Sequence, residues 1–335
     1  MISMKKKLAL ILSILIIAVL MIICDRFFMP KTAHGIRQAD CLYAQPADSI
    51  DVLFLGTSHI HCNVNTELLW EKYGIAAYDY SAAEQPLWIT YYYMKEALKR
   101  QSPTLIVLDV FGPARRKEDY QYRWLGDNTD GVRFSFNKMA MLLTGCERSK
   151  LFDYFPSWMD YHTRYNEFGR DDIRGLLEGK KSKSAFKGYT PYFETTKEAD
   201  FTPDDLNGGE LTEKSKLYLK KIIELADKEN IDLFITVTPY RRTPDDIETY
   251  AQISELAENY DVDFYDANDD FDTMGLSYDC DFYDKSHLNY QGSCTYSEFL
   301  GQLLKEKYDI PDRRGNEKWE SWDRQSEALL LENGF

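Results

Sequence analysis

The chain has 335 residues, 44% of them hydrophobic and 28% charged, the make-up of a folded globular protein rather than a disordered one. A formal charge of −15 and a pI near 4.9 leave none of the Lys and Arg excess that phosphate backbones require, so no nucleic-acid partner is expected. The length suits one α/β domain carrying an insertion.

Lys5, Lys6 and Lys7 precede an apolar run from Leu8 to Cys24 that only Ser13 interrupts, and Asp25 and Arg26 close it. This is long for a signal-peptide core and at the short end for a spanning helix. No small-x-small cleavage site follows, and Ile22 and Ile23 stand where a lipoprotein signal needs small residues before its cysteine. The reading is an uncleaved anchor over residues 1–30. The lysines hold the N-terminus in the cytoplasm and residues 31–335 lie outside.

Beyond the anchor, residues 51–56 form a short apolar run closed by Gly56, a buried strand. A helix follows from about Asn65 to Lys72, a second strand from Ile75 to Tyr80, and a helix from Leu87 to Arg100. A third strand runs from Thr104 to Val110. The pattern breaks over residues 112–210, which are rich in Tyr, Arg, Asp and Gly and too long for an ordinary loop. It resumes with a helix at Thr212–Glu229, a strand at Ile231–Val237, a helix at Asp245–Asn259 and a strand at Val262–Tyr265. The last helix spans about Asn289–Lys307. Strands and helices in alternation predict a five-stranded parallel sheet covered on both faces. The tail carries Trp319, Trp322 and Leu329–Leu331, which are expected to dock as a terminal helix.

Six cysteines include Cys24 in the anchor and five others, Cys41, Cys62, Cys146, Cys280 and Cys294. None has the spacing of a metal-ligand pair, and unpaired thiols are expected, with Cys280–Cys294 the one bridge to consider.

The chemistry concentrates in two short segments. Gly56-Thr57-Ser58-His59 follows the first strand, where open parallel sheets place their ligands and where backbone N–H groups can face a developing oxyanion. Alone, such a serine more often caps a helix. Asp284-Lys285-Ser286-His287-Leu288-Asn289 precedes the last helix. A nucleophilic serine needs an imidazole to take its proton and a carboxylate to orient that ring. The step from Asp284 to His287 lets one turn bring the carboxylate to Nδ1, with Asn289 capping the helix behind them. His59 and His61, two residues apart beside the serine, are expected on the loop surface. Tyr91-Tyr92-Tyr93 reads as helix packing.

Together these segments resemble the SGNH/GDSL hydrolase superfamily, through Gly56-Thr57-Ser58 and Asp284-x-x-His287-Leu288-Asn289-x-x-Gly292, with the same order of elements over about residues 50–307. The resemblance implies a flavodoxin-like three-layer sandwich and catalysis by Ser58, His287 and Asp284. The family's usual further oxyanion donors are missing. Ser81-Ala82-Ala83-Glu84-Gln85-Pro86 follows the second strand, and Asp109-Val110-Phe111-Gly112 follows the third. In this the chain looks more like the membrane-anchored branch near the alginate O-acetyltransferases and the D-alanyl transfer protein of teichoic-acid synthesis. The Ser58 N–H and the Gln85 amide are expected to stand in, although Gln85 reads equally as a helix-entry residue before Pro86.

The resemblance implies an esterase or O-acyltransferase acting on a cell-envelope carbohydrate, with an acyl donor delivered by a membrane O-acyltransferase partner and with no cofactor or metal. The rival is a non-catalytic glycan-binding or scaffolding protein. Within residues 112–210, His162 and Arg164 lie among tyrosines and line either a substrate path or the interior of a lid. Arg241 and Arg242 follow the fourth strand and either hold an anionic group or are solvated. The acidic run Asp266–Asp272 lacks the glycine and glutamate of a calcium loop.

Overall fold

A computed structural model describes residues 4–28, 34–115, 118–161, 169, 187–196 and 209–325. Helix α1 (Met4–Phe28) is exposed over its apolar length, and its Met4–Cys24 stretch is long and apolar enough to cross a membrane. After it come α2 (Ile36–Leu42), β1 (Val52–Gly56), α3 (Ser58–Asn63), α4 (Thr66–Tyr73), β2 (Ala77–Ser81), α5 (Leu87–Ala97) and β3 (Leu105–Asp109). Helix α6 (Phe136–Gly145) lies between β3 and α7 (Glu213–Glu229), and β4 (Asp232–Val237), α8 (Pro244–Glu258), β5 (Asp263–Asp266) and α9 (Tyr290–Lys307) complete the unit.

The five strands pair in parallel in the order β2-β1-β3-β4-β5, the flavodoxin-like order. Residues alternate between two apolar layers, as the pleat requires. Leu53, Leu55, Tyr78, Tyr80, Ile106, Leu108 and Ile235 face one layer, whereas Val52, Phe54, Ala77, Leu105, Val107 and Phe234 face the other. Both layers exclude water, which is why β1 and β3 read in the sequence as near-continuous apolar runs.

Helix starts follow local chemistry. The Thr212, Thr243 and Asn289 side chains accept from the N–H groups of Ser215, Asp246 and Gly292, and thereby cap α7, α8 and α9. Asn289 thus sets the first turn of α9 two residues after His287.

The C-terminal tail docks through its tryptophans in a short turn over Glu317–Trp319 and a helix over Glu320–Asp323. Trp322 is fully buried and donates to the Ala77 carbonyl at 3.2 Å, and Trp319 donates to the Ser49 carbonyl at 2.8 Å. Leu329–Leu331 lie outside the described residues. Trp322→Ala is expected to cost about 3–5 kcal/mol through the cavity it leaves. Urea denaturation of the detergent-solubilised full chain, followed by far-UV circular dichroism, reads this. An unchanged midpoint would mean that the tail contributes nothing to the fold.

Candidate functional site

The site is built on the end of β1. Gly56 has φ +148°, and a Cβ there would lie 2.8 Å from the Asp109 Cβ, so the turn out of the strand requires glycine. Thr57 then caps α3. Its Oγ1 accepts from the His59 N–H at 3.2 Å and donates to Asp109 Oδ2 at 3.3 Å. Ser58 is consequently the first residue of a helix, outside the carboxyl end of β1, where strand order reverses between β1 and β3.

The second segment arrives from the other end of the chain as a tight turn. Phe282 and Leu288 form an antiparallel bridge, and Tyr283 N–H donates to the His287 carbonyl at 2.9 Å. Inside this turn Asp284 Oδ1 accepts from the backbone N–H groups of Ser286 at 2.9 Å and His287 at 2.8 Å. The His287 Nδ1 lies 2.8 Å from Asp284 Oδ2 and 3.0 Å from Oδ1, and its Nε2 lies 2.7 Å from the Ser58 Oγ. Hydroxyl, imidazole and carboxylate thus stand in one hydrogen-bonded line. Partial burial alone would raise the Asp284 carboxyl. The His287 ring and the two backbone N–H groups outweigh it and hold the group well below the usual carboxylate range. The carboxylate is charged throughout the neutral range, as the orienting member of such a line must be.

Asn63 fastens the turn to the sheet, and the sequence alone did not single it out. Fully buried at the end of α3, it accepts from the Leu288 N–H at 2.9 Å and donates to the Thr238 Oγ1 at 3.1 Å. Thr238 follows β4 and also bonds the His59 Nδ1 at 3.1 Å. The helix bearing Ser58, the strand β4 and the turn bearing His287 are therefore cross-linked by one network.

His59 and His61 are not on the loop surface, as the two-residue alternation suggested; both are fully buried. Residues 58–63 are helical rather than extended, and that helix is wedged between β1, β2 and α9, so its opposite sides are both covered. The His59 ring stacks on Phe111 with centroids 3.5 Å apart and meets the His287 ring edge-on at 5.1 Å. The His61 Nδ1 bonds the Ser81 Oγ at 2.8 Å, and its Nε2 lies 2.8 Å from His34 Nδ1.

Gln85 is buried and its Oε1 accepts from the Thr90 hydroxyl at 2.9 Å, while its Nε2 has no hydrogen-bond partner among the described residues. Its backbone meets the nucleophile loop across Gly112, where a Cβ would lie 2.8 Å from the Gln85 carbonyl and 3.0 Å from the Thr57 methyl. Arg241 is exposed, its guanidinium 4.6 Å from the centre of the Tyr278 ring. Arg242 is turned away to Asp266 at 2.6 Å and Asp269 at 2.9 Å. His162 and Arg164 lie outside the described residues. The six cysteines form no disulfide among the described residues.

Asp109, beneath the nucleophile turn, accepts from Thr57, from the Phe111 N–H at 3.3 Å and from the Thr238 N–H at 3.5 Å. Burial raises its carboxyl to about 7, and these three donors hold it from going higher. An unfolded Asp titrates near ~3.9. Between those values the native state holds a proton that the unfolded chain has released, so this group's contribution falls as pH rises from about 4 to about 7 and is constant outside that window. Relative to Asp109→Asn, the wild type is expected to lose on the order of 4 kcal/mol across that window. Denaturant titrations at several pH values check this, and parallel profiles for the two proteins would refute it.

No known protein-family model matches this chain, and no curated protein matches it in sequence. Solved structures do. A candidate acylhydrolase from Bacteroides fragilis is 12% identical, with 78% of this chain and 90% of that one covered at a TM-score of 0.36. A catalytic variant of the acetylxylan esterase Axe2 from Geobacillus stearothermophilus is 10% identical, over 79% of this chain and 98% of that one, at a TM-score of 0.41. Likeness at this level says nothing about the chemistry of the present protein, which rests on its own geometry.

Proposed function

We propose that this protein is a membrane-anchored serine esterase or O-acyltransferase that works at the outer face of the membrane on a cell-envelope glycan. The observation that carries the reading is the line from Ser58 Oγ through His287 to Asp284, with spacings of 2.7 and 2.8 Å. In the reaction, Ser58 Oγ attacks an acyl carbonyl while its proton passes to Nε2, and the Asp284 carboxylate stabilises the imidazolium. The oxyanion draws on the Ser58 N–H and the Gln85 amide, whose buried Nε2 is available for a new acceptor. His287 returns the proton to the departing alcohol. Water, or a sugar hydroxyl in a transferase, then releases the acyl group from Ser58. The lysines in the first turns of α1 favour a cytoplasmic N-terminus, with the folded domain on the other side and its acyl donor supplied by a membrane O-acyltransferase.

A second reading, a non-catalytic glycan-binding protein, draws support from the absence of the usual oxyanion residues after β2 and β3. Labelling of the detergent-solubilised full chain with a fluorophosphonate separates the two. The wild type is expected to label, and Ser58→Ala and His287→Ala are expected not to. A folded wild type that stays unlabelled while retaining glycan binding would favour the binder.

A further inference from the structure

A second group of reactive side chains lies outside the Ser58 line. His34 belongs to the segment after the N-terminal helix, and His61 and Cys62 to α3. One ligand atom from each lies within 4.8 Å of the others. The His34 Nδ1 and His61 Nε2 face each other at 2.8 Å. His61 and Cys62 are fully enclosed and His34 is half-buried. Two imidazole nitrogens and a thiol this close together form the donor set that borderline-soft divalent ions select. The surroundings supply an outer layer as well. The His61 Nδ1 bonds the Ser81 hydroxyl at 2.8 Å; with the ring proton there, Nε2 is free to ligate.

A buried carboxyl lies nearby, outside the group of three. Asp79 precedes Ser81 by two residues on β2 and therefore faces the same side of the sheet. It is fully buried, and both of its carboxyl oxygens are without a partner among the described residues. It also lies near enough to Cys62 for the two groups to interact electrostatically. A carboxyl buried without a partner is costly unless something pairs with it, and a cation held by the three neighbouring ligands would do so.

We infer that His34, His61 and Cys62 form a divalent metal site, of zinc type, with a water in the fourth position that Asp79 can pair with. Binding breaks the His34–His61 hydrogen bond. His61 keeps its proton on Nδ1, the His34 proton moves by way of solvent from Nδ1 to Nε2, and the Cys62 thiol proton passes to solvent as the metal–sulfur bond forms. The bound ion would pin the segment that leaves the membrane helix to the helix that begins with Ser58. No ligand spacing shows this in the sequence, because His34 is 27 positions from His61 and the fold alone joins them.

The test uses the full chain in detergent, stripped with a chelator and titrated with Co²⁺. One equivalent per chain is expected, with a thiolate-to-cobalt charge-transfer band that Zn²⁺ displaces. Cys62→Ser should abolish the band. His34→Gln, at the rim and least able to disturb folding, should weaken binding by more than Ser81→Ala, for which about 10- to 100-fold is expected. Cys280→Ser and Cys294→Ser should leave the band intact. Ser58→Ala should also bind one equivalent, which keeps this result separate from the serine reading. A folded chain that takes up no stoichiometric Co²⁺, or a band that survives Cys62→Ser, would overturn the proposal.

Discussion

Ser58→Ala is expected to lower ester turnover by on the order of 10⁴- to 10⁶-fold while the protein folds with unchanged stability. Removing the nucleophile from such a unit costs about as much as removing the whole unit, because the imidazole and carboxylate have nothing left to activate. The hydroxyl is a small loss to the fold. Its hydrogen bond is to His287, whose ring keeps Asp284, and the α3 cap comes from Thr57 rather than from Ser58. The measurement is release of acetate from an acetylated glycan oligomer, with thermal unfolding as the control. Turnover of Ser58→Ala within tenfold of wild type would sink the covalent serine mechanism. It would leave metal- or water-based chemistry, or contamination, to explain the wild-type rate.

Asp284→Asn is expected to cost about 10⁴-fold in kcat with little change in structure. Asp284 Oδ1 accepts from the N–H groups of Ser286 and His287, and Oδ2 from the His287 Nδ1. An asparagine can place its oxygen on the two backbone donors and so preserve the turn. Its NH₂ then faces Nδ1, which must act as acceptor, and the ring proton moves to Nε2. With Nε2 protonated, the ring cannot take the Ser58 proton. Asp284→Ala differs in removing the turn's acceptor too, so its loss should include stability. An Asp284→Asn variant with near-wild-type kcat would show that the carboxylate only shapes the turn. Fluorophosphonate labelling rates offer a second readout, since they report serine activation without requiring the natural acyl acceptor.

Both predictions concern residues that stand out in the sequence, and the reason is local. Asp284 and His287 are three apart, so a single turn suffices to join them. Ser58 sits where a parallel strand ends, a place that the apolar run 51–56 and Gly56 mark without any knowledge of the rest of the chain. The five strands and the long helices were legible for the same kind of reason. Buried parallel strands read as apolar runs, and Asn289 announces the helix it caps. Boundaries moved by up to three residues, as where the strand expected from Ile75 begins at Ala77 and the helix expected to reach Arg100 ends at Ala97.

Tertiary structure decided what depends on distant partners. That residues 58–63 coil into a helix follows from packing between two strands and α9, since six residues have too little propensity of their own to nucleate one. This coiling buries His59 and His61, where their spacing alone suggested exposure. The role of Asn63 in holding the His287 turn depends on Leu288, 225 positions away. The meeting of His34 with His61 and Cys62 depends on α2 returning the chain to the edge of β2. Composition and short-range pattern determined the layers, the sheet and the two ends of the Ser58 line. Which polar groups lie buried, and against whom, was set by long-range closure of the sheet, because burial is a property of the whole packing and not of any window of sequence.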